Sequence, residues 1–154
     1  MKRVAIVMGS ESDRAVVEEA YPYLEYFGID YQVLVMSAHR TPGKVQEFAT
    51  HARENGFGVI IGCAGLAAHL PGVLAAYTTL PVIGVPLAAG ALHGVDSLYS
   101  IVQMPAGVPV ATMAIGKPGM RNAAILAAQI LAISEPEVEQ KLNRFKENSC
   151  RIPE

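Results

Sequence analysis

The chain has no tryptophan and only two cysteines, Cys63 and Cys150, too far apart to form a disulfide framework or a metal-ligand pair. It also has no basic excess: 12 lysines and arginines stand against 14 aspartates and glutamates, a net charge of −2. That balance argues against nucleic acid or another polyanion as partner. Charged residues are 17% of the chain against a usual ~25%, and 51% is hydrophobic, which excludes a disordered protein. A Walker A sequence, a Gly-x-Ser-x-Gly elbow and a paired-carboxylate arrangement are all missing. The four histidines are well separated with no carboxylate at metal-site spacing, so no metal is expected. Met1-Lys2-Arg3 runs directly into a strand-like segment without an apolar signal region, which makes the cytoplasm the expected compartment. At 154 residues the expectation is one domain over 1–154, able to bury about 68–70% of its unfolded surface without a staple.

Charge is scarcest in the middle. Between Asn55 and Gly116 the only Asp, Glu, Lys or Arg is Asp96. Pro71, Pro81, Pro86, Pro105 and Pro109 cut this stretch into pieces shorter than the ~20 residues a membrane span requires. A monomer of this size cannot hide so much apolar chain, so part of it is expected between subunits. Charges return over 135–154, which reads as a solvated terminal helix and tail beyond a core of 3–133.

Five short runs rich in Val and Ile are present: Val4 to Met8, Tyr31 to Met36, Val59 to Gly62, Val82 to Val85 and Val108 to Ala114. They are continuous rather than alternating, as strands covered on both faces are. Helix-length segments separate them. Asp13 to Phe27 places Val16, Ala20, Leu24 and Phe27 on one side, with Pro22 expected to kink or split it. Pro42 to Asn55 starts at a Thr41 cap, Ala67 to Tyr77 is apolar all round, and Asp96 to Gln103 and Met120 to Ile133 complete the set. Alternating strands and helices predict a parallel five-stranded sheet between two helical layers, an α/β three-layer sandwich.

Open parallel sheets bind ligands beyond the carboxyl ends of their strands. After the first strand, Gly9-Ser10-Glu11-Ser12-Asp13 offers a tight turn, two hydroxyls and helix N–H groups as an anion cradle. Asp13 there either caps the helix or points at ligand hydroxyls. After the second, Ser37-Ala38-His39-Arg40-Thr41-Pro42 sets a hydroxyl, an imidazole and a guanidinium side by side. Arginine holds phosphate bidentately, and histidine is the residue type suited to proton transfer near neutrality. After the third, Gly62-Cys63-Ala64-Gly65-Leu66-Ala67-Ala68-His69 lets backbone approach a ligand. No charge adjoins Cys63, so it reads as a buried thiol rather than a nucleophile. His69 is either a ligand contact or a satisfied buried histidine, His93 is a further candidate, and His51 faces solvent.

Met8-Gly9-Ser10-Glu11-Ser12-Asp13, Ser37-Ala38-His39-Arg40-Thr41-Pro42, Ala67-Ala68-His69-Leu70-Pro71-Gly72, Leu80-Pro81-Val82-Ile83-Gly84-Val85-Pro86 and Ser97-Leu98-Tyr99-Ser100-Ile101-Val102-Gln103-Met104-Pro105 stand in this order. Together, over roughly 3–133, they resemble the N5-carboxyaminoimidazole ribonucleotide mutase family of de novo purine (IMP) biosynthesis. The resemblance implies a flavodoxin-like sandwich assembled as a homo-octamer. It also implies an isomerase that moves a carboxylate from the exocyclic nitrogen to ring carbon C4, with no metal, nucleoside triphosphate or organic cofactor. An ATP-dependent synthetase that makes the substrate is the implied functional partner. Carried over by motif, His39 is the general acid/base, and Ser10, Asp13 and Arg40 bind the ribonucleotide with Ser12 and Ser37 in the same pocket. The loop from Gly65 through Leu66 to His69 closes over imidazole and carboxylate.

Animal-type relatives, which use free CO2, resemble Ser-Ala-His-Lys-Thr where this chain has Ser37-Ala38-His39-Arg40-Thr41, and lack its Ala67-to-Gly72 motif. This chain follows the mutase pattern at both places. It departs at Cys63 and Leu66, where the family usually has Ala and Gly, and in the loop Leu87-Ala88-Ala89-Gly90 with His93. The CO2-dependent carboxylase and a non-catalytic nucleotide-binding protein of this fold stand as the alternative readings.

Overall fold

The computed structural model describes residues 1–153. Five parallel strands, β1 (Arg3–Met8), β2 (Tyr31–Val35), β3 (Phe57–Gly65), β4 (Val82–Leu87) and β5 (Ala111–Thr112), form one sheet in the order β2-β1-β3-β4-β5. The chain moves outward from β1 to β2, then returns across β1 to β3. That reversal opens a crevice between the carboxyl ends of β1 and β3.

Alternate residues of β1 supply the two cores. Val4, Ile6 and Met8 face α1 (Arg14–Val17), α2 (Tyr21–Phe27) and α6 (Lys117–Ala132). Ala5 and Val7 face α3 (Pro42–His51), α4 (Leu70–Tyr77) and α5 (Val95–Val102). Small residues let α6 lie close to the sheet: Ala123, Ala124, Ala127 and Ala128 are all fully buried. The three-layer α/β sandwich expected from the strand–helix alternation is the observed fold.

Several boundaries differ from the expectation, each for a physical reason. Residues 11–27 are split, as Pro22 predicts: a 3₁₀ turn at Glu18–Ala20 separates α1 from α2, and Pro22 falls in the first turn of α2. The segment expected as a helix from Ala67 begins only at Leu70, because Leu66 (φ 53°) and Ala68 (φ 28°) hold left-handed backbone before it. β3 is longer than expected because it pairs with strands on both sides. β5 shrinks to two residues, since Pro109 has no N–H to give the ladder and Gly107 turns at φ 99°. β2 is an edge strand, so its residues are only partly covered and Val35 is exposed.

The terminal segment is less solvated than its charge suggested. Val138, Leu142 and Phe145 form a buried stripe along α7 (Pro136–Glu147), and the Phe145 ring meets Phe27 at 5.5 Å in a T-shaped contact. Their spacing of four and three residues makes one helix face. Charge density alone conceals such a stripe. No described helix is long and apolar enough to cross a membrane.

Candidate functional site

The strand ends set the residues of the site. β1 ends at Met8, and Ser10 then caps the 3₁₀ turn Glu11–Asp13 by accepting from Ser12 N–H. The Ser10 and Ser12 hydroxyls lie 2.9 Å apart, facing the crevice together. Asp13 makes no side-chain cap to α1, so the capping alternative does not hold. Burial instead raises its carboxyl above the usual carboxylate range, with a hydrogen bond from the Ser10 backbone opposing the rise.

β2 leads into a loop locked by its own hydroxyls. Thr41 sits at the N-cap of α3 but does not cap it. Its Oγ1 accepts from Ser37 N–H at 2.9 Å and donates to the Ser37 carbonyl at 3.1 Å. Ser37 Oγ in turn accepts from Arg40 N–H at 3.1 Å. These three bonds fix the backbone of 37–41 without using the His39 ring or the Arg40 guanidinium. Both side chains stay exposed, and no carboxylate forms an ion pair with Arg40 among the described residues.

The loop after β3 brings in the second histidine. His69 Nδ1 lies 2.7 Å from His39 Nε2, with the rings T-shaped at 4.8 Å between centroids. In such a bond one ring nitrogen donates and the other accepts, so the facing nitrogens hold one proton between them. Thirty residues of chain separate these rings, and the crevice between β1 and β3 joins them.

All the sequence-predicted site residues meet here. Ser10, Ser12, Asp13, Ser37, His39, Arg40, Gly65, Leu66 and His69 line one cleft of about 430 Å³. Its two walls differ in kind. The β1 and β2 ends supply hydroxyls, a carboxylate, an imidazole and a guanidinium. The β3 and β4 ends supply Ala64, Gly65, Leu66, Ala67, Ala68 and Ala89, with no charge.

Ala89 is the residue that sequence reasoning missed. Attention there went to His93, which instead lies outside the cleft, exposed, with φ 52°. The signal lies in strand pairing: Gly65 is in register with Leu87, which brings the residues just past β4 to the mouth of β3. His51 also stays outside, its Nδ1 2.9 Å from the Glu47 carbonyl on the face of α3. Cys63 is fully buried with its sulfur 3.3 Å from that of Met120, and burial pushes its thiol far up, so it is no nucleophile. Among the described residues no cluster of three His, Cys, Asp or Glu side chains is placed to hold a metal.

Comparison with known proteins agrees with this geometry. The family model described as AIR carboxylase matches residues 3–151. The chain is 58% identical over 144 residues to the N5-carboxyaminoimidazole ribonucleotide mutase of Escherichia coli K12, covering 94% of this chain and 85% of that protein. It is 55% identical over 151 residues to the protein of the same name from Pyrococcus abyssi, covering 98% of this chain and 86% of that one. Among solved structures it superposes on Treponema denticola PurE with a TM-score of 0.85 at 28% identity, covering 95% of this chain and 90% of that one.

Proposed function

This chain belongs to the AIR carboxylase family, and we propose from that premise that its cleft performs the reaction of N5-carboxyaminoimidazole ribonucleotide mutase. The enzyme is an isomerase of purine biosynthesis. It moves the carboxylate from the exocyclic nitrogen of the aminoimidazole to ring carbon C4, giving 4-carboxy-5-aminoimidazole ribonucleotide. The observation that carries this reading is the meeting of His39 with an uncharged wall in one cleft, in a chain more than half identical to proteins of that name.

The two walls suit the two halves of the substrate. On the polar wall Arg40, free of internal partners, takes the phosphate, while Ser10 and Asp13 take the ribose side with Ser12 and Ser37 beside them. Ribose hydroxyls donating to Asp13 favour its charged form and offset the burial that raises it. The imidazole and its carboxylate then lie toward His39, His69 and the Gly65–Leu66 turn.

The C–N bond breaks with its electron pair remaining on nitrogen, which takes a proton and releases neutral CO2. The enamine-like C4 then attacks that CO2, and C4 gives up its proton. His39 serves both transfers, because delivering a proton to the amine leaves it ready to accept the one from C4. An uncharged wall favours this path, since a fixed cation there would stabilise the starting carboxylate and slow its loss. Holding CO2 beside C4 replaces a dilute bimolecular capture with an intramolecular one.

The protein acts as a cytoplasmic homo-oligomer, with eight copies as the expected assembly, and an ATP-dependent synthetase supplies its substrate. The support for assembly is apolar surface. Leu92, Val95, Tyr99 and Val102 are 45–63% exposed and lie along one side of α5 and the turn before it. Such a stripe in a stretch whose single charge is Asp96 is unusual for a monomer.

The test is incubation of purified protein with the N-carboxylated ribonucleotide, or with aminoimidazole ribonucleotide, each with and without bicarbonate. Conversion of the first without bicarbonate is the expected result. Conversion of the second alone, dependent on bicarbonate, would assign the CO2-dependent carboxylase instead, and neither would leave a binding protein.

A further inference from the structure

The uncharged wall is built from two interleaved loops. At the end of β3, Gly65 lies so close to the β4 loop that a Cβ there would come 3.0 Å from Ala89 Cβ. One residue on, Leu66 has left-handed backbone, φ 53°, which an aliphatic side chain rarely adopts. Its Cδ2 lies over Gly90, where a Cβ would approach within 2.8 Å. Gly90 itself has φ 70°. Each loop therefore offers a glycine to a side chain of the other: Gly65 to Ala89, and Gly90 to Leu66.

Left-handed backbone at a branched aliphatic persists only where its surroundings hold it, and it concentrates at functional sites. Here the conformation aims a leucine into the cleft rather than into a core. Leu66 is 53% exposed and lines the same cleft as His39. A leucine makes no hydrogen bond, so what it contributes at that position is the exclusion of water.

We propose that Leu66, seated on Gly90, is the specificity-determining wall that keeps neutral CO2 inside the cleft between its release from nitrogen and its capture by C4. The proposal rests on the mutase reading above, and it assigns retention to a particular pair of residues. Water reaching that point would hydrate CO2 to bicarbonate and a proton, and the turnover would end in free aminoimidazole ribonucleotide. An apolar side chain between the one-carbon intermediate and solvent removes that branch.

The experiment follows the transferred carbon. The full-length enzyme is given the N-carboxylated ribonucleotide in ¹³C-bicarbonate with carbonic anhydrase, and ¹³C in the product carboxylate is measured with free aminoimidazole ribonucleotide. Wild type is expected to transfer its own carbon with little label. Leu66→Gly accepts the left-handed backbone without strain, so its fold is kept, and exchange and release rise by roughly tenfold or more. Leu66→Met restores apolar bulk and brings exchange back down. Gly90→Ala displaces the Leu66 side chain and raises exchange when Leu66 is present, but adds nothing to Leu66→Gly.

Unchanged labelling in Leu66→Gly overturns the proposal, as does an additive double variant. A wild-type enzyme that labels its product fully overturns retention itself. Failure of wild type to convert the N-carboxylated substrate is a different outcome, which overturns the mutase reading beneath it.

Discussion

Replacing His39 with asparagine separates proton transfer from structure, because the contacts of its ring are few. The 37–41 loop is fixed by Ser37 and Thr41, so the ring is free to go without releasing the backbone. What is lost structurally is one exposed hydrogen bond, His39 Nε2 to His69 Nδ1 at 2.7 Å. A bond of that kind contributes roughly 0.5–1.5 kcal/mol, or a few degrees of Tm in a chain of this length. General acid–base transfer contributes ~10²–10⁴-fold in rate, about 2.7–5.5 kcal/mol of barrier. The two effects differ enough to be told apart in one pair of assays. His39→Asn should lose a few degrees at most in thermal melting, yet lose ~10²-fold or more in kcat. His69→Asn removes the same bond from its other end, so its melting should match while kcat falls much less. Near-normal kcat in His39→Asn would refute the assignment. Collapse of kcat in His69→Asn alone would make His69 the residue that carries the proton.

Arg40→Ala should raise KM by roughly 30- to 150-fold, the loss of ~2–3 kcal/mol of charge-assisted bonding, with kcat little changed because phosphate is remote from the reacting carbon. Steady-state kinetics checks it, and an unchanged KM means another group holds the phosphate. Asp13→Asn should raise Tm of the unliganded protein at pH 7–8 while weakening substrate binding. A carboxyl that binds its proton more tightly when folded costs stability as pH rises past its unfolded value of 3.8, so the gain should shrink toward zero as pH falls below 3.8. Melting curves from pH 3 to 8 decide it, and a gain that grows on acidification has the wrong sign. Light scattering should give about 131 kDa, eight times the 16.4 kDa chain mass, and Tyr99→Asp on the α5 stripe should lower it. A wild-type mass of 16.4 kDa at micromolar concentration rejects the assembly.

The chain's local chemistry is legible without coordinates. Runs such as Val4 to Met8 and Val82 to Val85 announce buried parallel strands because both faces of such a strand are covered, and Pro22 announces a split helix because it removes a backbone donor. The polar half of the cleft is equally plain, since Ser10, Asp13, His39 and Arg40 lie just past strand ends where ligands bind. Other features depend on what meets what. Strand order is not carried by periodicity, and only the order β2-β1-β3-β4-β5 puts His69 against His39 and Ala89 beside Gly65. The α7 stripe was hidden by the charges around it, and β5 was shortened by the missing donor of Pro109 at the sheet edge. The left-handed backbone at Leu66 has no signature in the residue itself, which disfavours it. It exists because the loop after β4 presents Gly90 at the one place where the leucine side chain can rest, a match between segments that only the packed sheet brings into contact.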